Sequence, residues 1–107
     1  MEDCDAELFV LYKRYRSGGE VWLMKGLERR KPDYDALLSI GRFLARMGCV
    51  VKILSPVHYK DPIYKKAFGL LTGTPYYRKC PDLMIDGLFY EYESYVRPFK
   101  EIGRAHV

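Results

Sequence analysis

No apolar run in the chain approaches the roughly 20 residues needed to cross a bilayer, which predicts no membrane partner. The start, Met1-Glu2-Asp3-Cys4-Asp5, is acidic, unlike the basic opening of a signal peptide, so a cytoplasmic protein is expected. Cysteine is scarce: Cys4, Cys49 and Cys80 are odd in number and far apart, with no C-x-x-C pair. That pattern argues against both a disulfide framework and a zinc site, and the thiols are expected to be reduced, with Cys49 in the core. Gly69, Gly73 and Gly87 make no phosphate-cradling pattern, and Ser94 has no neighbouring base to activate it. His58, in PVHYKDP, is the one histidine a general-base role could draw on; a loop histidine is also an ordinary surface residue.

What remains is a single domain of 107 residues that is 49% apolar, enough to bury a core and too apolar to be disordered throughout. The net charge of +4 leans toward an anionic partner, nucleic acid first. Basic residues gather at Lys13, Arg14 and Arg16, at Lys25, Arg29, Arg30 and Lys31, and at Lys60, Lys65, Lys66, Arg78 and Lys79. They serve equally well as solvated faces. Lys65, Lys66, Arg78 and Lys79 are the candidate nucleic-acid contacts. Ten tyrosines and five phenylalanines offer rings that stack on bases or fill cores and cross-strand pairs.

Local signals order the elements. Apolar runs at 7–15 and 20–25 flank Ser17-Gly18-Gly19 and read as a β-hairpin. Pro32 suits the first turn of a helix, and Asp33 and Asp35 suit its positive end. Leu37, Leu38, Ile40, Phe43, Leu44 and Met47 recur at helical spacing, and Gly48 is a stop signal. This predicts an amphipathic helix over 33–47. Val50–Leu54 reads as a strand ended by Ser55-Pro56. Residues 61–71 read as a short helix with Asp61 as N-cap and Pro62 at its first position. Strands at 82–85 and 88–93 surround Asp86-Gly87. The fold class is α+β: an N-terminal β-hairpin, one long amphipathic helix, and a small mixed or antiparallel sheet ending in a β-hairpin.

Asp-Gly between alternating runs favours a type I′ turn, which needs positive φ at both centres. Ile85 then pairs with Leu88, Met84 with Phe89, Leu83 with Tyr90, and Asp82 with Glu91. Period-two alternation puts Phe89, Glu91 and Glu93 on one face, with Asp82 beside them. Carboxylates directly opposite each other destabilise a sheet. A bound divalent cation, a shared proton or a nearby Lys or Arg would offset the repulsion; a solvated face would simply tolerate it. The arrangement depends on the register, since a slip of one residue breaks it.

Pro81-Asp82, eight residues, then Glu91-Tyr92-Glu93 resembles the PD-(D/E)xK nuclease signature, and the helix followed by three strands resembles the start of that core. The stretch PDLMIDGLFYEYES is similar to the C-terminal tRNA-nuclease toxin domains of contact-dependent inhibition proteins, a likeness that covers about residues 32–95. The resemblance implies a restriction-endonuclease-like core, here lacking its last helix and strand. It also implies Mg²⁺ or Mn²⁺ on Asp82 and Glu91, RNA as the substrate and an immunity protein as a possible partner. The third motif position is normally a lysine. Here it is Glu93, so Glu93 is either a further metal ligand or a mark of lost activity, and Lys52 is the candidate to supply the missing charge. The catalytic candidates are thus Asp82, Glu91, Glu93 and Lys52.

Residues 101–107 (EIGRAHV) carry no helical or strand period and resemble a translated sequencing adapter. They are expected to be a tail foreign to the domain, leaving 1–100 as a single, incomplete nuclease-like unit. Two other readings stand beside the nuclease. One is a non-catalytic nucleic-acid-binding or protein-interaction module built on the basic clusters. The other is a small interaction protein of a mobile element or a toxin-immunity system.

Overall fold

The computed structural model describes residues 8–26 and 33–92 and the strand at 96–98. Cys4, Arg29, Arg30, Lys31, Pro32, Glu93, Ser94 and the tail at 101–107 lie outside the described residues. The elements in chain order are β1 (Phe9–Arg14), β2 (Glu20–Met24), α1 (Tyr34–Arg46), β3 (Val50–Ile53), α2 (Pro62–Phe68), β4 (Leu83–Ile85), β5 (Leu88–Tyr92) and β6 (Val96–Pro98). The strands form one six-stranded sheet in chain order. Only β2 and β3 pair in parallel, as a helical crossover between them requires; the other neighbours are antiparallel. The architecture is α+β. The carboxylate hairpin does not end the sheet, because β6 adds a strand beyond it.

Three local expectations hold in detail. Asp86 and Gly87 take φ of 49° and 88°, the two positive values of a type I′ turn. The ladder pairs Ile85 with Leu88, Met84 with Phe89 and Leu83 with Tyr90. Asp61 caps α2 by accepting the Ile63 N–H at 2.9 Å, and Pro62 opens the helix. Gly48, at φ 104°, lets the chain leave α1 in the left-handed conformation that other residues resist.

The inward line of α1 differs from the expected one. Tyr34, Leu37, Gly41 and Ala45 are buried against the sheet, while Phe43 and Met47 are exposed at 58% and 68%. The small residues set this line, because a helix approaches a sheet most closely where its side chains are shortest. At Gly41 a Cβ would already touch the Val51 side chain at 3.4 Å. Phe43, two residues on and so roughly 200° round the helix, faces outward.

The sheet separates two cores. On the α1 side Val21, Leu37, Ala45, Val51, Ile53 and Leu83 are buried together. On the α2 side Phe9, Met24, Leu54, Tyr64, Phe68 and Phe89 are buried together. Period-two alternation produces the division: Val51 and Ile53 point to α1, and Lys52 between them points the other way. Among the described residues, no helix is long and apolar enough to cross a membrane.

Candidate functional site

Asp82 lies just before β4, at the open end of the β4–β5 hairpin. Its backbone N–H donates to the Tyr90 carbonyl at 3.1 Å, and its carbonyl accepts the Leu54 N–H at 3.0 Å. Its carboxylate Oδ2 accepts the Tyr92 N–H at 2.9 Å. Asp82 therefore bonds to the residue on each side of Glu91 and brackets it. The regular ladder stops at Leu83 and Tyr90, one pair short of the expected Asp82–Glu91 pairing. The reason is local competition: a short carboxylate can take a backbone N–H that the ladder would otherwise use.

Glu91 alternates with Tyr90 and Tyr92. Those rings pack against the α1-side core, and Phe89 belongs to the α2-side core, so Glu91 sits on the α2 side of β5. Lys52 lies on the same side, in register with Met84. β4 intervenes between β3 and β5, so Lys52 starts about 10 Å from β5 at the usual strand spacing. Its ammonium rests 5.0 Å from the Phe9 ring centroid, on the β1 side of β3. Lys52 thus shares a sheet face with Glu91 and leans toward the opposite edge. Glu93 lies outside the described residues.

On the same side of the sheet, between α2 and the strands, is a cavity of about 300 Å³ lined by Phe9, Leu54, Leu70, Met84 and three lysines, Lys52, Lys65 and Lys66. Its floor is apolar and its charge is positive. Sequence patterning did not reveal this cavity, because its lysines come from β3 and α2 and meet only through the packing of α2 on the sheet. Arg78 and Lys79 sit elsewhere, on the loop before β4. The four candidate nucleic-acid residues therefore form two groups attached to the same helix.

The Arg78 loop has its own support. Tyr64, buried in α2, accepts the Arg78 N–H at 2.7 Å and donates to the Lys79 carbonyl at 2.9 Å. Burial pushes the Tyr64 hydroxyl up from its ordinary value, so it keeps the proton it donates. These bonds hold Arg78 at φ 80°, a strained conformation for a residue with a side chain. The guanidinium then lies 4.3 Å from the Tyr59 ring centroid.

Other nucleophile candidates fall away. Burial pushes the Cys49 thiol up, and the Asp86 carboxylate adds to the shift, the opposite of an activated thiolate. The Cys80 thiol is pinned to the backbone of Val57, accepting the Val57 N–H and donating to the Val57 carbonyl. His58 Nδ1 accepts the Lys60 N–H at 3.1 Å, which in the neutral ring leaves Nε2 carrying the proton. A neutral His58 can then act as a base only by giving up that bond.

The donor set can be tested against a divalent cation. Among the described residues no three His, Cys, Asp or Glu side chains gather into a metal-holding group. Asp82 and Glu91 are the right donor type for Mg²⁺, which proteins commonly hold through one or two carboxylates while substrate phosphates and water fill the other positions. One oxygen of Asp82 is engaged by the Tyr92 N–H. Set against known proteins, the chain matches no family model, no curated protein and no solved structure.

Proposed function

We propose that this chain is a metal-dependent nuclease-like domain acting on RNA of the tRNA type, weakened by Glu93 where the motif has lysine. The observation that carries the reading is the bracketing of Glu91 by Asp82, whose N–H and carboxylate bond to the backbone of the residues on either side of it. Asp82 and Glu91 would hold Mg²⁺ or Mn²⁺. Such an ion supplies Lewis acidity toward the scissile phosphate and lowers the pKa of a bound water. The lysine-lined cavity on the same side of the sheet supports the reading, since its charge suits a phosphate backbone. The resemblance to toxin domains makes an immunity protein the natural protein partner.

The test is calorimetric titration of Mg²⁺ and Mn²⁺ into the wild-type chain and into Asp82→Asn and Glu91→Gln, followed by a tRNA-cleavage assay. Binding that both substitutions abolish, with cleavage that follows it, is the expected result. A folded wild-type chain that binds neither ion sinks the metal-nuclease reading.

A binding-only module is the second reading, and one observation favours it. The Asp82 carboxylate already has a structural task, accepting the Tyr92 N–H at the strand end. Such a module would bind nucleic acid with a steep salt dependence that survives Asp82→Asn and Glu91→Gln.

A further inference from the structure

Two short sequence runs place rings directly before cations: His58-Tyr59-Lys60 and Tyr76-Tyr77-Arg78-Lys79. They are about twenty residues apart in the chain and meet beside Tyr64 of α2. His58 stacks on Tyr59 with centroids 4.8 Å apart and planes 23° from parallel. Arg78 covers the Tyr59 ring at 4.3 Å. Tyr77 meets Tyr59 edge-on at 6.0 Å and Tyr64 edge-on at 5.9 Å. His58, Tyr77, Arg78, Lys60 and Lys79 are exposed, and Tyr59 is half-buried between them.

We infer that this cluster is a binding site for an unpaired nucleobase of a single-stranded nucleic acid, an inference that rests on the nucleic-acid reading above but not on catalysis. Three facts support it together. First, the His58 ring stacks on Tyr59, the Arg78 guanidinium lies over the same ring and Tyr77 braces it edge-on, so that exposed flat groups are held where a base extends the stack. Second, Lys60 and Lys79 flank the stack where a backbone phosphate would follow a bound base, and cations beside stacking rings are the pattern of single-strand grooves. Third, the geometry is held in place before any ligand arrives. The buried Tyr64 hydroxyl fixes Arg78 at φ 80°, and local strain kept by such support marks positions where orientation matters. A site that only needed positive charge would not need a strained backbone to aim it. Bases inside a duplex show no free face, so the site selects single strands or loops.

The experiment is fluorescence anisotropy with the full chain and three probes of equal length: a single-stranded oligonucleotide, the same strand in a duplex, and an abasic strand that keeps every phosphate. Mg²⁺ is omitted for binding and added in parallel for cleavage. The intact single strand should bind at least about five-fold more tightly than the abasic one, the lower end of what one base–ring stack contributes. Tyr77→Ala and Arg78→Gln should each remove most of that difference and leave the abasic affinity within a small factor of the Tyr77→Ala or Arg78→Gln protein's own single-strand affinity. Both positions are exposed, so these variants are expected to fold; Tyr59→Ala, which opens part of the core, is the confirmatory variant, checked by circular dichroism. Equal affinity for intact and abasic strands, or a preference for duplex, overturns the inference. Cleavage in Mg²⁺ together with equal abasic binding overturns the base site and keeps the nuclease. Base-dependent binding without cleavage in Mg²⁺ keeps the base site and removes the nuclease.

Discussion

The two faces of the sheet are built on different rules. The face under α1 is closed by small residues and branched aliphatics. Its helix sits so low that the turn before β2 touches it: Ser17 Oγ donates to the Ala45 carbonyl at 2.7 Å, and a Cβ on Gly19 would lie 1.8 Å from that same oxygen. The face under α2 is made of large rings, and its short helix leaves a cavity whose wall carries lysines. Dense packing fixes a scaffold, and the cleft on the α1 side, lined by Ser39, Ile40, Phe43, Leu44, Ile85 and Tyr90, carries no charged side chain. Rings and long cations leave gaps and polar ends, and Lys52, Glu91, Tyr64 and the Tyr59–Arg78 cluster all lie on that looser side.

The largest expected effect tests the closed side. Gly19→Ala drives a methyl into backbone, which cannot move aside as a flexible side chain would. The loss should exceed about 3 kcal/mol, the upper end for overpacking, and urea denaturation should show a mostly unfolded chain or a much lower midpoint. Gly69→Ala, on the α2 side with nothing within 4 Å of the new methyl, is the matched control and should leave the midpoint nearly unchanged. If both substitutions are tolerated equally, the two faces are not packed differently.

The next effect separates two roles of Asp82. Asp82→Ala removes the acceptor for the Tyr92 N–H and should lower stability by about 1.5–3 kcal/mol, the range for hydrogen bonds to charged groups. Asp82→Asn keeps an acceptor oxygen and should recover much of that loss, while still lacking the negative charge a cation needs. Denaturation and metal titration on the same pair of variants check this. Equal destabilisation by Ala and Asn would mean that charge, rather than the hydrogen bond, holds the strand end.

How much of this was legible beforehand follows the range of the interactions. The Asp86-Gly87 hairpin, the Asp61-Pro62 helix start and the Gly48 stop were readable because each is decided within a few residues. The inward line of α1 was misread at Phe43 and Met47, because Gly41 and Ala45 look weakly apolar in a pattern yet decide how close the helix comes. The pairing of Asp82 with Glu91 was half legible. The turn fixes the ladder up to Leu83 and Tyr90, and beyond it the side chain of Asp82 redirects its own backbone neighbours. The Tyr59–Arg78 cluster left only a faint trace, two ring-before-cation runs. Its assembly depends on a tyrosine hydroxyl fourteen residues before the N–H it accepts.

A smaller effect tests that assembly. Tyr64→Phe keeps the ring in the core and removes only the hydroxyl, so two neutral hydrogen bonds are lost at about 0.5–1.5 kcal/mol each, less whatever water restores at the exposed loop. The consequence for the looser face should outweigh the stability change: Arg78 loses the support for its left-handed backbone, and base-dependent oligonucleotide binding should fall while binding to an abasic strand stays. Anisotropy beside thermal denaturation reads both. Unchanged base dependence would show that Arg78 is aimed by something other than Tyr64.

The smallest effect belongs to the N-terminal hairpin, whose only described ion pair is exposed. Glu20 accepts the Trp22 indole N–H at 2.8 Å and the Arg14 Nε–H at 2.8 Å. The indole bond first, and the Arg14 guanidinium second, hold its carboxyl below the ordinary value of 4.5. A folded-state pKa below the unfolded one means the contribution is fully present above the ordinary carboxylate range and disappears as pH falls through the lowered value. Arg14 is 62% exposed, so water and salt screen the pair, and Glu20→Gln should change stability at neutral pH by less than about 1 kcal/mol. Gln keeps an acceptor for the indole and removes the charge, so the gap between wild type and variant should narrow as the solution is acidified below the carboxylate range, and also narrow in high salt. A gap that stays constant from neutral to acidic pH would mean that the charge of Glu20 is not what separates wild type from variant.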